Sequence, residues 1–199
     1  ILSLLYNIVD RIYIARIPSV GTTALGAVGL CFPIIVIITA FSNLFGSGGA
    51  PLFSINRGKG NIKKAEVIMN TSFSMLCICG VALMVIGMLF ASSILVLFGA
   101  SEEGLSYAYP YMMIYLIGTV PSMIATGMNP FINAQGYATS GMLSVTIGAV
   151  ANLILDPLFI FGLNLGIKGA AIATIISQTL SAAYVCLLYT SPSPRDISG

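Results

Sequence analysis

The sequence predicts an all-α, polytopic membrane protein built as a bundle of six transmembrane helices. Three observations predict it: 57% of the 199 residues are hydrophobic, only 7% are charged, and the apolar residues fall into long runs separated by short polar or Gly-rich joints. A soluble chain carries about 25% charged residues to cover its surface. Eight Lys or Arg and six Asp or Glu leave most of this chain without any, so the solvent for those runs is lipid.

A helix needs about 20 apolar residues to cross the hydrocarbon core, and that length divides residues 1–190 into segments at about 1–17, 25–55, 67–98, 107–132, 142–163 and 168–189. The first starts inside an apolar run at Ile1, which is not Met, so more sequence is expected before it. Asp10 and Arg11 interrupt this run and no small-residue cleavage pattern follows, which argues against a signal peptide. A short turn around Pro18 and Gly21 joins it to the second segment. The second and third segments exceed 25 residues and are expected to tilt, kink or extend past the headgroups. Residues 191–199 change composition abruptly and are expected to be a non-native or disordered tail.

Orientation follows from where Lys and Arg collect. Arg57, Lys59, Lys63 and Lys64 make up half of all basic residues, so the loop 57–66 and the N-terminus are expected in the cytoplasm, with the protein multi-pass in the plasma (inner) membrane. The loop at Glu102 and Glu103, free of basic residues, is then outside and the turn at 133–140 inside.

Several function classes drop out. A net charge of +2, dispersed along the chain, offers no clustered basic face for nucleic acid. Cys31, Cys77, Cys79 and Cys186 all lie in apolar runs and read as small core residues. There is no His, no metal-ligand spacing and no phosphate-binding glycine motif followed by Lys and Ser or Thr. No enzyme is expected, and no cofactor.

An ionisable side chain at the bilayer centre costs at least about 2.5 kcal/mol, so each one needs a partner or a function. Asp10, in the first segment, shares a helix face with Tyr6 and Asn7; Asp156, in the fifth, shares one with Asn152. Pro157 cannot donate to the carbonyl of Leu153, which leaves a free C=O beside Asp156. Carboxylate, amide and bare carbonyl together suit a hard cation such as Na⁺, held at Asp10, Asn152 and Asp156, or a proton relay. Protonation and Na⁺ binding compete at such a site, which makes it a coupling device. The alternative is a fold-locking ion pair with Arg11, but adjacent residues diverge by about 100° around a helix.

In the sixth segment Thr174, Ser177, Gln178 and Ser181 lie on about one face, beside small residues that permit close helix approach. A back-bonded or packing role for Thr174 stands beside a role in the ion site. Pro33, Pro121 and Pro157 interrupt otherwise apolar segments and are candidate hinges, with packing kinks as the alternative.

These residues in this order resemble the multidrug and toxic compound extrusion (MATE) family. The carriers are Tyr6 to Ile14 in the first segment, Asn133-Ala134-Gln135-Gly136 after the fourth, Asn152 to Ile160 in the fifth, and Gly166 to Gln178 into the sixth. Ala15 and Arg16 stand where that pattern would place a glycine. The resemblance implies a twelve-helix fold of two six-helix lobes, of which this chain is the N-terminal one. It also implies export of drugs or organic cations by alternating access, driven by Na⁺ or H⁺. A cation site formed by Asp10, Asn152, Asp156 and Thr174 is implied as well, with Tyr6, Asn7 and Gln178 in support. The expected partners are the bilayer, small organic substrates and a second lobe. Two alternatives are a lipid-linked sugar flippase of the same superfamily, for which the interior has few basic residues, and a non-transporting membrane scaffold.

Overall fold

In the computed structural model, which describes residues 2–17 and 21–190 and the side chains of residues 9–17 and 21–189, every element is helical. The elements are α1 (Leu2–Ala15), α2 (Gly21–Gly58), α3 (Ile62–Leu97), α4 (Glu102–Ile117), α5 (Thr119–Ala134), α6 (Ala138–Pro157), a π-helical turn (Leu158–Gly162) and α7 (Ile167–Thr190). Four spans, α2, α3, α6 with its π turn, and α7, are long and apolar enough to cross a membrane, and a fifth forms if α4 and α5 count as one bent span. Helix α1 has 14 residues. That is about 21 Å at 1.5 Å per residue, shorter than a hydrocarbon core of about 30 Å. The side chains of Tyr6 and Asn7, the turn at Pro18 and the tail 191–199 lie outside the described residues.

The outer surface, unlike that of a soluble protein, is as apolar as the interior. Large apolar side chains such as Leu44, Ile78, Leu89, Leu97, Met142 and Leu187 face outward, where lipid supplies the apolar surroundings that a core supplies elsewhere. Inside, Ile14, Leu76, Leu95, Met112, Leu116, Met123 and Phe131 are fully buried. Helix α2 packs on α3, α5 and α4, while α7 packs on α6, α5 and α4. Helix α1 lies against α6 and α2, which brings Asp10 towards Asp156.

Helix ends follow local chemistry. Asn61 Oδ1 accepts the Lys64 N–H at 3.3 Å to start α3, and Ser101 Oγ accepts the Gly104 N–H at 3.1 Å to start α4. Glu102 and Glu103 in the first turn of α4 complement the positive end of its dipole.

The segment expected as one helix over 107–132 is two, α4 and α5, bent by 56°. Pro121 has no N–H to offer the carbonyl of Ile117, so the ladder fails there. Pro121 itself fits the first turn of α5, where no intrahelical donor is required. Gly118 at the corner packs so closely on α7 that an added Cβ would lie 2.7 Å from Ile175 Cγ1. By contrast, α2 runs through Pro33 and Pro51 without a break. At Pro157 the α-helical ladder ends and the π turn begins: Leu163 N–H reaches Leu158 C=O at 2.9 Å and Leu165 N–H reaches Phe159 C=O at 3.1 Å.

Gly169, at the start of α7, seats that helix against the π turn. A Cβ there would lie 2.7 Å from the backbone C and O of Phe159. Gly169→Val is expected to cost about 1–3 kcal/mol of stability, read as a lowered melting temperature of the purified protein in detergent. An unchanged melting temperature would mean the π turn yields freely.

Candidate functional site

Asp10 reaches the interior from α1 and Asp156 from α6, and their carboxyl groups meet at hydrogen-bonding range. Asp156 is fully buried. Asn152, one turn earlier on α6, donates from Nδ2 to Asp156 Oδ1 at 3.1 Å and makes a longer 3.5 Å approach to Thr174 Oγ1 on α7. Thr174 Oγ1 donates in turn to the Ala170 carbonyl at 2.9 Å. The back-bonded role for Thr174 and its place beside the acids therefore coexist. The four residues expected to form a cation site lie together, contributed by three helices.

Two atoms in this group stand out. Asp10 Oδ1 and Asp156 Oδ2 are enclosed and have no hydrogen-bond partner among the described residues. A buried polar atom left unpaired costs about 1–3 kcal/mol, more if charged, and two facing carboxylates cannot both hold their charge in a low dielectric. A proton shared between them, or a cation seated against the two bare oxygens, relieves both costs. Arg11 is a weaker source of relief: its charge acts on Asp10, yet it is exposed, with its guanidinium carbon 5.7 Å from the centre of the Phe32 ring.

A cleft of about 290 Å³ opens beside the acids between α5, α6 and α7. Its walls include Asn152, Thr174, Ser177, Gln178 and Ser181, and from α5 Ser122, Thr126 and Asn129. Ser177 is back-bonded to the Ala173 carbonyl at 2.7 Å. Ser181 Oγ crosses to the Ser144 carbonyl at 2.7 Å, and Asn129 Nδ2 donates to Ser144 Oγ at 2.9 Å and to the Gly141 carbonyl at 2.8 Å.

Two groups were not anticipated from sequence. Tyr111 of α4, buried and stacked on Tyr115 with ring centres 6.2 Å apart, lies within electrostatic reach of both Asp10 and Asp156. Its signal was the stripe Tyr107, Tyr111, Tyr115 at intervals of four on one helix face. Asn129 has one local partner, Asn133 four residues on in α5, but the contacts that tie it to the cleft, to Gly141 and Ser144, lie on α6 and leave no local signal.

The MatE family model matches residues 1–158. The FAD transporter of Shewanella oneidensis is 31% identical over 176 residues, covering 86% of this chain and 38% of that protein. The multidrug export protein MepA of Staphylococcus haemolyticus is 28% identical over 190 residues, covering 96% of this chain and 42% of that protein. The chain thus spans about two fifths of the length of these curated relatives. Among solved structures, an outward-facing multidrug resistance MATE family transporter of the MOP superfamily aligns with a TM-score of 0.88 at 25% identity, over 99% of this chain and 46% of that one. An inward-facing conformation of such a transporter aligns with a TM-score of 0.86 at 26% identity, over 100% of this chain and 47% of that one.

Proposed function

The chain belongs to the MatE family of membrane transporters, and from that premise we propose that it is the N-terminal lobe of a cation-coupled antiporter that exports drugs or organic cations. The observation that carries this reading is the contact between the Asp10 and Asp156 carboxyls inside an otherwise nearly uncharged bundle. Na⁺ or H⁺ is the co-substrate, held by Asp10, Asp156 and Asn152 with Thr174 beside them. Arrival of the cation screens one carboxylate from the other and lets α1 close on α6. Its departure restores the repulsion and favours the other cavity orientation. Similar TM-scores to an outward-facing and an inward-facing transporter support rocking of this lobe as a unit against a second one. The loop 57–66 and the N-terminus face the cytoplasm in this reading, by the distribution of Lys and Arg.

A second reading, export of a phosphate-bearing dinucleotide, draws on the 31% identical FAD transporter. It meets the same objection as the flippase alternative: no Lys or Arg is among the buried polar residues described, and pyrophosphate recognition calls for basic side chains.

The experiment is Asp156→Asn in the full-length parent, followed by efflux of a fluorescent organic cation under an imposed Na⁺ or proton gradient. Coupled efflux is expected to fall roughly 10- to 100-fold, the size of a typical coupling energy. Unchanged efflux would reject the site, and no efflux by the unaltered parent under either gradient would favour a scaffold.

A further inference from the structure

Along α6, Ser144, Gly148, Asn152 and Asp156 recur every fourth residue and form one row on the helix surface. From 144 to 156 the row runs about 18 Å. The cleft between α5, α6 and α7 touches this row at Gly148 and Asn152. Asp156 does not line the cleft; Asn152 stands between, its Nδ2 3.1 Å from Asp156 Oδ1 and 3.5 Å from Thr174 Oγ1.

The row has a direction. From Asn152 towards the start of α6 the polar groups continue: Ser144 Oγ receives Asn129 Nδ2 at 2.9 Å, and Asn129 Oδ1 receives Nδ2 of the exposed Asn133 at 3.0 Å. That end of the lobe carries the α5–α6 turn. Past Asp156 in the other direction come Pro157 and the apolar π turn Leu158–Gly162. Along α6, polar groups therefore lead from Asp156 towards the α5–α6 turn and not along the π turn.

Among the described residues, no Asp, Glu, Lys or Arg lines the cleft. Neutral hydroxyls and amides replace part of a cation's hydration without trapping it, which is what passage rather than storage requires. Resting on the coupling-ion reading above, we infer that this cleft is the aqueous route by which Na⁺, or a proton carried on water, leaves Asp156 towards the end bearing the α5–α6 turn, the cytoplasmic end in that reading, with Asn152 as its gate. On release the cation moves along the neutral wall, and the Asn152 amide returns its Nδ2 to Asp156 behind it.

Accessibility of introduced thiols tests the route. At Gly148 a Cβ would meet Ser181 Cβ at 3.4 Å, an ordinary contact, so Gly148→Cys fits; Ala125→Cys on the opposite wall is the second probe should the first misfold. Both are made in the full-length parent with Cys31, Cys77, Cys79 and Cys186 replaced, and treated with a cationic, membrane-impermeant methanethiosulfonate in vesicles of either orientation. Reagent on the side of the α5–α6 turn is expected to modify both positions at least about tenfold faster than reagent on the opposite side. Thr139→Cys, exposed at the first turn of α6, marks full access from the turn side. Equal rates from the two sides, faster reaction from the opposite side, or no reaction while Thr139→Cys is fully modified would each overturn the route. Labelling does not depend on which group binds the cation. Face-selective labelling with unchanged efflux in Asp156→Asn would therefore reject the ion site alone, and lost efflux without labelling would reject the route alone.

Discussion

Gly46→Leu is expected to abolish accumulation of the folded lobe, while Gly48→Leu, two residues away, leaves it intact. Helices α2 and α5 cross with their backbones in contact at Gly46: an added Cβ would collide with the Gly127 carbonyl oxygen and lie 3.0 Å from its Cα. The obstacle is main chain, so no rotamer change relieves it and the helices must part. Parting them would separate Phe53 of α2 from Phe131 of α5, whose rings meet edge to face at 5.7 Å. It would also loosen Leu76, fully buried against Gly127. Without a hydrophobic force between helices in lipid, such close approach and dispersion contact hold the pair together. Gly46→Ala alone is expected to cost about 3 kcal/mol, the upper end of usual overpacking. A Cβ added at Gly48 would meet nothing within 4 Å, so that position serves as the control. Monodisperse protein recovered by size exclusion in detergent gives the readout. Normal yield from Gly46→Leu would show that the crossing is not what assembles the lobe.

The acid pair gives the second large effect, and stability and transport move in opposite directions. Asp10→Asn and Asp156→Asn each remove one of two carboxyls in contact and supply an amide that can donate to the other. Each change is expected to raise stability by roughly 1–2 kcal/mol, the trade-off typical of a strained functional site, seen as a higher melting temperature. Each is also expected to lower coupled efflux roughly 10- to 100-fold. The double variant should be no more impaired in efflux than the worse single one, because the residues act as a unit. Multiplicative losses, or a lower melting temperature in the single variants, would mean that the carboxyls act separately or are held by an ion pair.

Much of this was legible in the sequence. Apolar run length located the four long spans α2, α3, α6 with its π turn, and α7, since the cost of lipid-exposed polar backbone admits few alternatives. Asp10, Asn152 and Asp156 were legible because charge in a membrane span is expensive and the four-residue spacing is local. The bend at Gly118 was legible only in its place: Pro121 marks an interruption, but a missing donor also suits a gentle kink, and hydropathy stays high through the break. The neutral wall of the cleft was not legible. Ser144, Ser181 and Asn129 look like back-bonded or lipid-facing residues until pairings 15 and 37 residues apart join them. Gly46 was visible among its neighbours Ser47, Gly48 and Gly49, but its partner Gly127 was not, because nothing local ties one glycine to another across helices.

The lengths of α2 and α3 bear on how the basic turn between them meets the membrane. With 38 and 36 residues and a tilt of about 20°, their axes still span about 50 Å, against about 40–45 Å for a bilayer with its headgroups. The far end of α3 finishes in Val96 and Leu97, both exposed and apolar, so that end stays in lipid and the excess emerges at the other. Arg57, Lys59, Lys63 and Lys64 therefore stand on a short stalk above the headgroups. That excess, roughly 5–10 Å, is close to one Debye length of about 8 Å, over which a surface potential falls to roughly a third. In the proposed topology their charge would orient the hairpin while it inserts and adhere more weakly than charges seated among the headgroups.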